Sequence, residues 1–324
     1  MTNFNWADLA FASNKPLKEL QATFIAAPRE LSLARFKQLV KTYLPKGNLV
    51  LGVSTQDYVD GFTGQPQFRT LRQAAVQAVI DQVDAASPQA KIHTLTYAPA
   101  DEPHLIAKNL FARYVFINGS WSRSFHLRPA FYELTKLRAG YQLISPFTGE
   151  VEAHAYLDQI WPEIEAATPL PAPGTRLTAT QALELAGTAA RRSFDYTFQT
   201  GTVLARPAGR DTFEFITASW NAVVPHQTRA LHEGSIREQR FSPAGDLNFY
   251  DTNHAEMALL IAAATQHLNL AGATMFINLL PCPTCARILA ATPIAKFIYQ
   301  HDHSDGYAYN YLQAAGKTIF RIAI

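Results

Sequence analysis

Both cysteines of this 324-residue chain lie three positions apart, in Pro281-Cys282-Pro283-Thr284-Cys285, downstream of His254-Ala255-Glu256. A pair so spaced, in a chain with no third thiol, excludes a disulfide framework and reads first as metal or redox chemistry. The flanking residues say what holds the pair. "ATMFINLL" (273–280) predicts a buried strand, and "CPTCARILAAT" (282–292) a short helix with Pro283 in its first turn. Residues three apart on a helix share a side, so both thiols face one way. Upstream, "AEMALLIAAATQHL" (255–268) predicts a helix that is apolar nearly all round and therefore buried, with His254 and Glu256 at its start. Two adjacent β-α units bring their helix N-termini to one sheet edge, where one imidazole and two thiols converge.

The rest of the second half continues the alternation. A Thr-capped helix is expected over 178–194, a hairpin over 201–220, a strand over 295–300, a helix over 306–316 ending at Gly316, and a last strand over 318–324. The stretch 163–175 carries Pro169, Pro171, Pro173 and Gly174 and reads as extended linker. The expected organisation is a first domain over 1–165, a linker over 166–176 and a second domain over 177–324. The first half offers helices over 30–44, 70–83, 102–110 and 128–140 and strands over 48–55, 91–98 and 113–119. This similar order suggests a tandem duplication. The helix over 70–83 has Leu71 and Gln73 near the places of His254 and Glu256, and the helix over 102–110 has no cysteine. The first half is thus read as a degenerate copy without metal ligands. The alternative is an unrelated α/β domain, since many such domains share this alternation.

Zinc accepts a mixed set of imidazole and thiolate. A structural zinc site is closed by four protein ligands, whereas a catalytic one keeps a place for water. His226, His232, His301 and His303 are candidates for a fourth ligand. Glu256 favours the open site, because a carboxylate two residues from a ligand is placed to exchange protons with a water that zinc has acidified.

His254-Ala255-Glu256 followed by Pro281-Cys282-Pro283-Thr284-Cys285 resembles the H-x-E…P-C-x-x-C signature of the zinc-dependent cytidine/deoxycytidylate deaminase superfamily. The resemblance covers roughly residues 178–324 and is strongest over 253–324. It implies a cytidine-deaminase-like three-layer α/β/α fold around a mixed sheet. It implies Zn2+ held by His254, Cys282 and Cys285, with zinc-hydroxide attack on the amino-bearing ring carbon and Glu256 as proton shuttle. By position it also implies that Ala255 and Pro281 shape the pocket wall, and that Asn221 orients the sugar or base. The helix-containing connection over 301–317 implies parallel last strands, as in the deoxycytidylate and tRNA-adenosine branches. One departure stands out: "NAVVPHQTRALHEG", after Asn221, has Pro225 and Arg229 but no close match to the phosphate-holding loop of deoxycytidylate deaminases.

The formal net charge is +2, which gives no basic footprint for nucleic acid. Within the insert 222–253, Arg229, Arg237 and Arg240 face Glu233, Glu238, Asp246 and Asp251. A small nucleotide or nucleoside is therefore favoured over a polynucleotide as partner. The long insert is read as a lid. Packing between subunits, or between the two halves of one chain, is expected from the resemblance. No signal-peptide pattern and no long apolar run is seen, so a cytoplasmic protein without a membrane partner is expected. The function expected is hydrolytic deamination of a cytosine nucleotide or nucleoside. The alternatives are a base deaminase acting on tRNA or single-stranded nucleic acid, and a non-catalytic zinc-binding scaffold. Three further features are set aside as ordinary loop or packing residues: His301-Asp302-His303, the Trp121/Arg123/His126/Arg128 group, and Tyr307, Tyr309 and Tyr311.

Overall fold

The computed structural model describes residues 22–27, 29–86, 90–109, 111–234 and 252–323. Among these residues the chain divides into two compact units. One runs to Ile160 and takes in the segment from Thr228. The other comprises Trp161–Gln227 and the chain from Thr252 onward.

The first unit is built on five strands: β1 (Ala22–Ala26), β2 (Asn48–Ser54), β3 (Ile92–Tyr97), β4 (Arg113–Ile117) and β5 (Tyr141–Ile144). Their order is β3-β2-β1-β4-β5, and every neighbouring pair is parallel. Parallel neighbours need crossover connections, and the helices supply them. Helices α1 (Leu33–Tyr43) and α2 (Gln77–Ala86) cover one face, where Phe36, Leu39, Val79 and Ile80 pack with Ile25 and Leu51. Helices α3 (Glu102–Asn109) and α4 (Pro129–Leu137) cover the other, where Ile106 and Leu134 pack with Phe24 and Phe116. The sheet is buried on both faces, so its central strand is buried throughout, all five residues of β1 with the polar Thr23 among them.

A duplicated fold would repeat the strand directions of the second half, which include an antiparallel hairpin. The all-parallel first sheet does not repeat them. The degenerate-copy reading rested on the alternation of elements, which two different topologies satisfy equally. The first two residues of the expected linker, 166–176, are helical. Helix α5 (Glu150–Ala167) runs through Pro162, and Ile160 and Ile164 on either side of that proline are buried. The boundary between the two compact units falls within this helix.

The second unit has strands β6 (Arg176–Thr178), β7 (Gly201–Pro207), β8 (Thr212–Trp220), β11 (Thr274–Leu279), β12 (Lys296–His301) and β13 (Thr318–Arg321), in the order β13-β12-β11-β7-β8-β6. β7 and β8 form the expected hairpin, and β11, β12 and β13 are parallel. Helix α6 (Ala179–Ala190) opens on a capping box between Thr178 and Gln181 and packs Leu183 and Ala186 on one face. Helices α8 (Ala255–Thr265), α9 (Pro283–Ala290) and α10 (Tyr307–Ala314) cover the other face through Leu259, Leu289 and Leu312. This is the three-layer α/β/α arrangement around a mixed sheet with parallel last strands.

Within the insert, β9 (Ala222–Val223) pairs antiparallel with β10 (Thr252–Asn253), so the excursion leaves and returns beside His254. Its helix α7 (Thr228–Glu233) belongs to the first unit. There Arg29 Nη1 donates to the Leu231 carbonyl (3.1 Å) and Asn118 Nδ2 to the His232 carbonyl (2.9 Å). Arg29 follows β1 and Asn118 follows β4, so α7 lies at the carboxyl ends of those strands. Arg237, Glu238, Arg240, Asp246 and Asp251 lie outside the described residues, as does most of the segment read as a lid.

Candidate metal centre

His254 is the N-cap of α8 and Cys282 the N-cap of α9. Helix α9 starts at the carboxyl end of β11, which leads into it through Leu280 and Pro281, and α8 follows β10 of the small β9–β10 pair. Pro283 at the first turn of α9 pre-sets the helical φ, and the backbone N–H of Cys285 points at Cys282 Sγ (3.4 Å). His254 Nδ1 stands 3.5 Å from Cys282 Sγ and 3.4 Å from Cys285 Sγ. The three ligand atoms all lie within 4.8 Å of one another. Among the described residues no other group of histidines, cysteines and carboxylates is placed to share an ion. His226, His232, His301 and His303 are not part of the cluster.

The protonation of the cluster follows from burial and from its internal hydrogen bonds. Cys282 is drawn down to about 4, first by the hydrogen bond from the Cys285 thiol and then, against burial, by those from His254 and the Cys285 N–H. Cys285 is pushed far up by the same thiol hydrogen bond and by burial. His254 is raised, first by its hydrogen bond to Cys282, and further by the charges of Glu256, Cys282 and Asp195. One thiolate therefore already faces an imidazole in a buried pocket. That donor set suits a borderline-soft divalent ion such as zinc, which displaces the remaining thiol proton on binding.

Glu256 sits on the first turn of α8 at 2% exposure. Burial raises its carboxyl to about 7, against the pull of a backbone hydrogen bond and the His254 charge. A carboxyl with that value holds and releases a proton at neutral pH with equal ease. Ala255 and Pro281 are both buried, and the Ala255 carbonyl accepts from Thr202 Oγ1 at 3.4 Å.

Asn221 is 2% exposed, and its amide is largely engaged by the protein. Nδ2 donates to the Phe198 carbonyl (2.9 Å) and to Asp195 Oδ2 (3.2 Å), while Oδ1 accepts from the Thr200 N–H (2.8 Å). Only the second lone pair of Oδ1 is left for any other group. Asp195, which sequence reasoning passed over, is the carboxylate that organises this corner. Its signal in the sequence was modest: an Asp just before a strand, accepting from backbone N–H groups further on, as turn aspartates do.

The features set aside above are resolved by packing. Trp121 and His126 are buried, and Trp121 lies against Phe125 (5.0 Å between centroids), so no exposed basic-aromatic patch forms there. Asp302 pairs with Arg321 at 2.6 Å, and His303 meets the edge of Phe198 at 6.2 Å. Tyr307 and Tyr311 stack on the exposed side of α10, while Tyr309 packs against the core.

Residues 178–301 match the family model described as the cytidine and deoxycytidylate deaminase zinc-binding region. The deoxycytidylate deaminase of Enterobacteria phage T4 is 34% identical over 71 residues, 21% of this chain and 37% of that protein. Its counterpart from phage T2 is 34% identical over 71 residues, 21% of this chain and 38% of that protein. The chain thus spans under two fifths of the length of these curated relatives. Among solved structures, dCMP deaminase from cyanophage S-TIM5 superposes on 44% of this chain and 96% of its own, at 17% identity and a TM-score of 0.33. Zinc is the ion of the matched family, and His254, Cys282 and Cys285 are the group here that can hold it. With that group on two successive helix starts, residues 178–301 carry the metal-binding arrangement of the cytidine and deoxycytidylate deaminase zinc-binding region that they match.

Proposed function

We propose that this protein removes the exocyclic amine of a cytosine nucleotide or nucleoside by hydrolysis. The observation that carries the reading is Glu256: a buried carboxyl one turn from a three-ligand cluster, with its proton affinity brought to about 7. A structural zinc site has no use for such a group. The phage relatives bear the name deoxycytidylate deaminase, which favours a monomeric cytosine substrate.

In this reading His254, Cys282 and Cys285 hold zinc, which supplies Lewis-acid activation of water at neutral pH. Glu256 would accept the proton of the attacking water and deliver it to the ring nitrogen next to the amine, then take the remaining proton of the added hydroxyl and pass it to the departing ammonia. Its burial keeps that proton from bulk solvent between steps. The backbone at Ala255 and Pro281, both buried, walls the pocket. Asn221 offers substrate only the free lone pair of Oδ1, so any direct contact is with a donor such as a sugar hydroxyl.

The test is ammonia release by zinc-loaded protein against dCMP, CMP, deoxycytidine, cytidine, adenosine, guanine and a short single-stranded oligonucleotide, with Glu256→Ala alongside. Release from one cytosine monomer is expected. The variant is expected to lose about 100-fold or more, the usual worth of a positioned acid/base, while keeping one zinc per chain. Release only from the oligonucleotide would replace the reading with a nucleic-acid deaminase. No release from any substrate, with zinc bound, would leave the scaffold role.

A further inference from the structure

Asp195 lies between α6 and β7, 6% exposed, and has no part in the proton transfers above. Its Oδ1 accepts from the backbone N–H groups of Thr197 (2.7 Å) and Phe198 (3.1 Å), which completes a turn. A turn needs no more than that oxygen. Oδ2 reaches elsewhere, accepting from Asn221 Nδ2 (3.2 Å) and from Thr252 Oγ1 (2.9 Å). One buried carboxylate therefore ties together the approach to β7, the end of β8 and strand β10.

These partners are the frame of the metal centre. Thr252 stands two residues before His254, and its strand pairs with the strand that starts next to Asn221. The carboxylate also decides which way the Asn221 amide points. With Nδ2 turned to Asp195, Oδ1 meets the Thr200 N–H; the opposite orientation would set two acceptors, and two donors, against each other. Hydrogen bonds to a buried charge are about twice as strong as neutral ones, so this arrangement is directional and stiff.

We propose that Asp195 is the positioning residue of the metal centre, acting through Thr252 on the segment that carries His254 and through Asn221 on the wall beside it. The proposal rests on His254, Cys282 and Cys285 being the metal ligands.

The test uses the full chain loaded with Co2+ in place of zinc, because cobalt's visible bands report ligand geometry without any substrate. Thr252→Val removes only the hydroxyl and leaves the bonds from Thr197, Phe198 and Asn221 to Asp195. Thr252→Ser keeps the hydroxyl. Asp195→Asn sets an N–H against two donors. Thr252→Val and Asp195→Asn are expected to bind one cobalt per chain with displaced d–d and thiolate-to-metal bands, and Thr252→Ser to return the wild-type spectrum. Turnover of the cytosine substrate should fall roughly tenfold in the first two, since displacement of a site group by about 1 Å costs up to about 100-fold. Wild-type spectra in both Thr252→Val and Asp195→Asn would reduce Asp195 to a turn residue and overturn the proposal. If Asp195→Asn does not fold, the comparison of Thr252→Val with Thr252→Ser decides alone. If the wild-type protein releases no ammonia, the deaminase reading fails while the spectra still test Asp195.

Discussion

At the scale of single residues, burial sets the chemistry. Glu256 and Glu102 are both buried carboxyls on the first turn of a helix, and in both desolvation outweighs the helix dipole. Glu102 accepts from the Tyr97 hydroxyl (3.0 Å), and burial holds its carboxyl above the ordinary 4.5 despite that bond and the Arg128 charge. The folded state thus binds the Glu102 proton more tightly than the unfolded chain does. This contribution to stability is complete below the unfolded value and is lost as pH rises through the raised folded one. Glu102→Gln keeps an acceptor for Tyr97 and cannot ionise. The variant should gain stability relative to wild type as pH is raised from the acid side of 4.5 toward neutrality. Urea unfolding of both proteins across that range measures the gap; a gap that does not change with pH would contradict the assignment.

At the scale of elements, the edge that carries the metal centre depends on one close approach. Gly201 opens β7, and its N–H donates to Asn278 Oδ1 at 2.9 Å near the end of β11. A Cβ there would lie 2.1 Å from the Ala186 carbonyl oxygen and 2.4 Å from the Ala190 nitrogen, both backbone atoms of α6. Neither can move aside as a side-chain tip does. Gly201→Ala is therefore expected to cost about 3 kcal/mol, the upper range for overpacking, read as a lower denaturation midpoint of the second unit. The duplication reading finds no support at this same scale, where the two sheets differ in strand direction. The helix and strand periods of the first half were legible, but strand direction is set by which elements pack together. β1, only five residues long, escaped notice although it is the centre of its sheet.

For the whole molecule, the two units have separate hydrophobic cores, and among the described residues the candidate metal ligands lie in the second. An ion that binds only the folded site stabilises it by mass action, by about 4 kcal/mol when free ion is 1,000-fold above its Kd. Removing zinc with a chelator should lower the melting temperature of the second unit by several degrees and leave the first unmoved. Calorimetry with and without chelator measures this, with Cys285→Ser as the variant that should not respond. Equal shifts in both units would contradict it.

The sequence by itself pointed to the group that can hold a metal, to the carboxyl proposed to work beside it and to the strand-helix order around them. His254, Glu256, Cys282 and Cys285 are chemically unusual residues at a spacing that local helix and strand geometry already constrains. Only the tertiary structure decided that the first sheet is wholly parallel, that α7 leaves the second unit for the first, and that Asp195 joins three strand ends beside the site. The reason is physical. Asp195 meets Asn221 and Thr252 across separations of 26 and 57 residues, and no periodicity along the chain encodes hydrogen bonds that exist only once distant segments have packed.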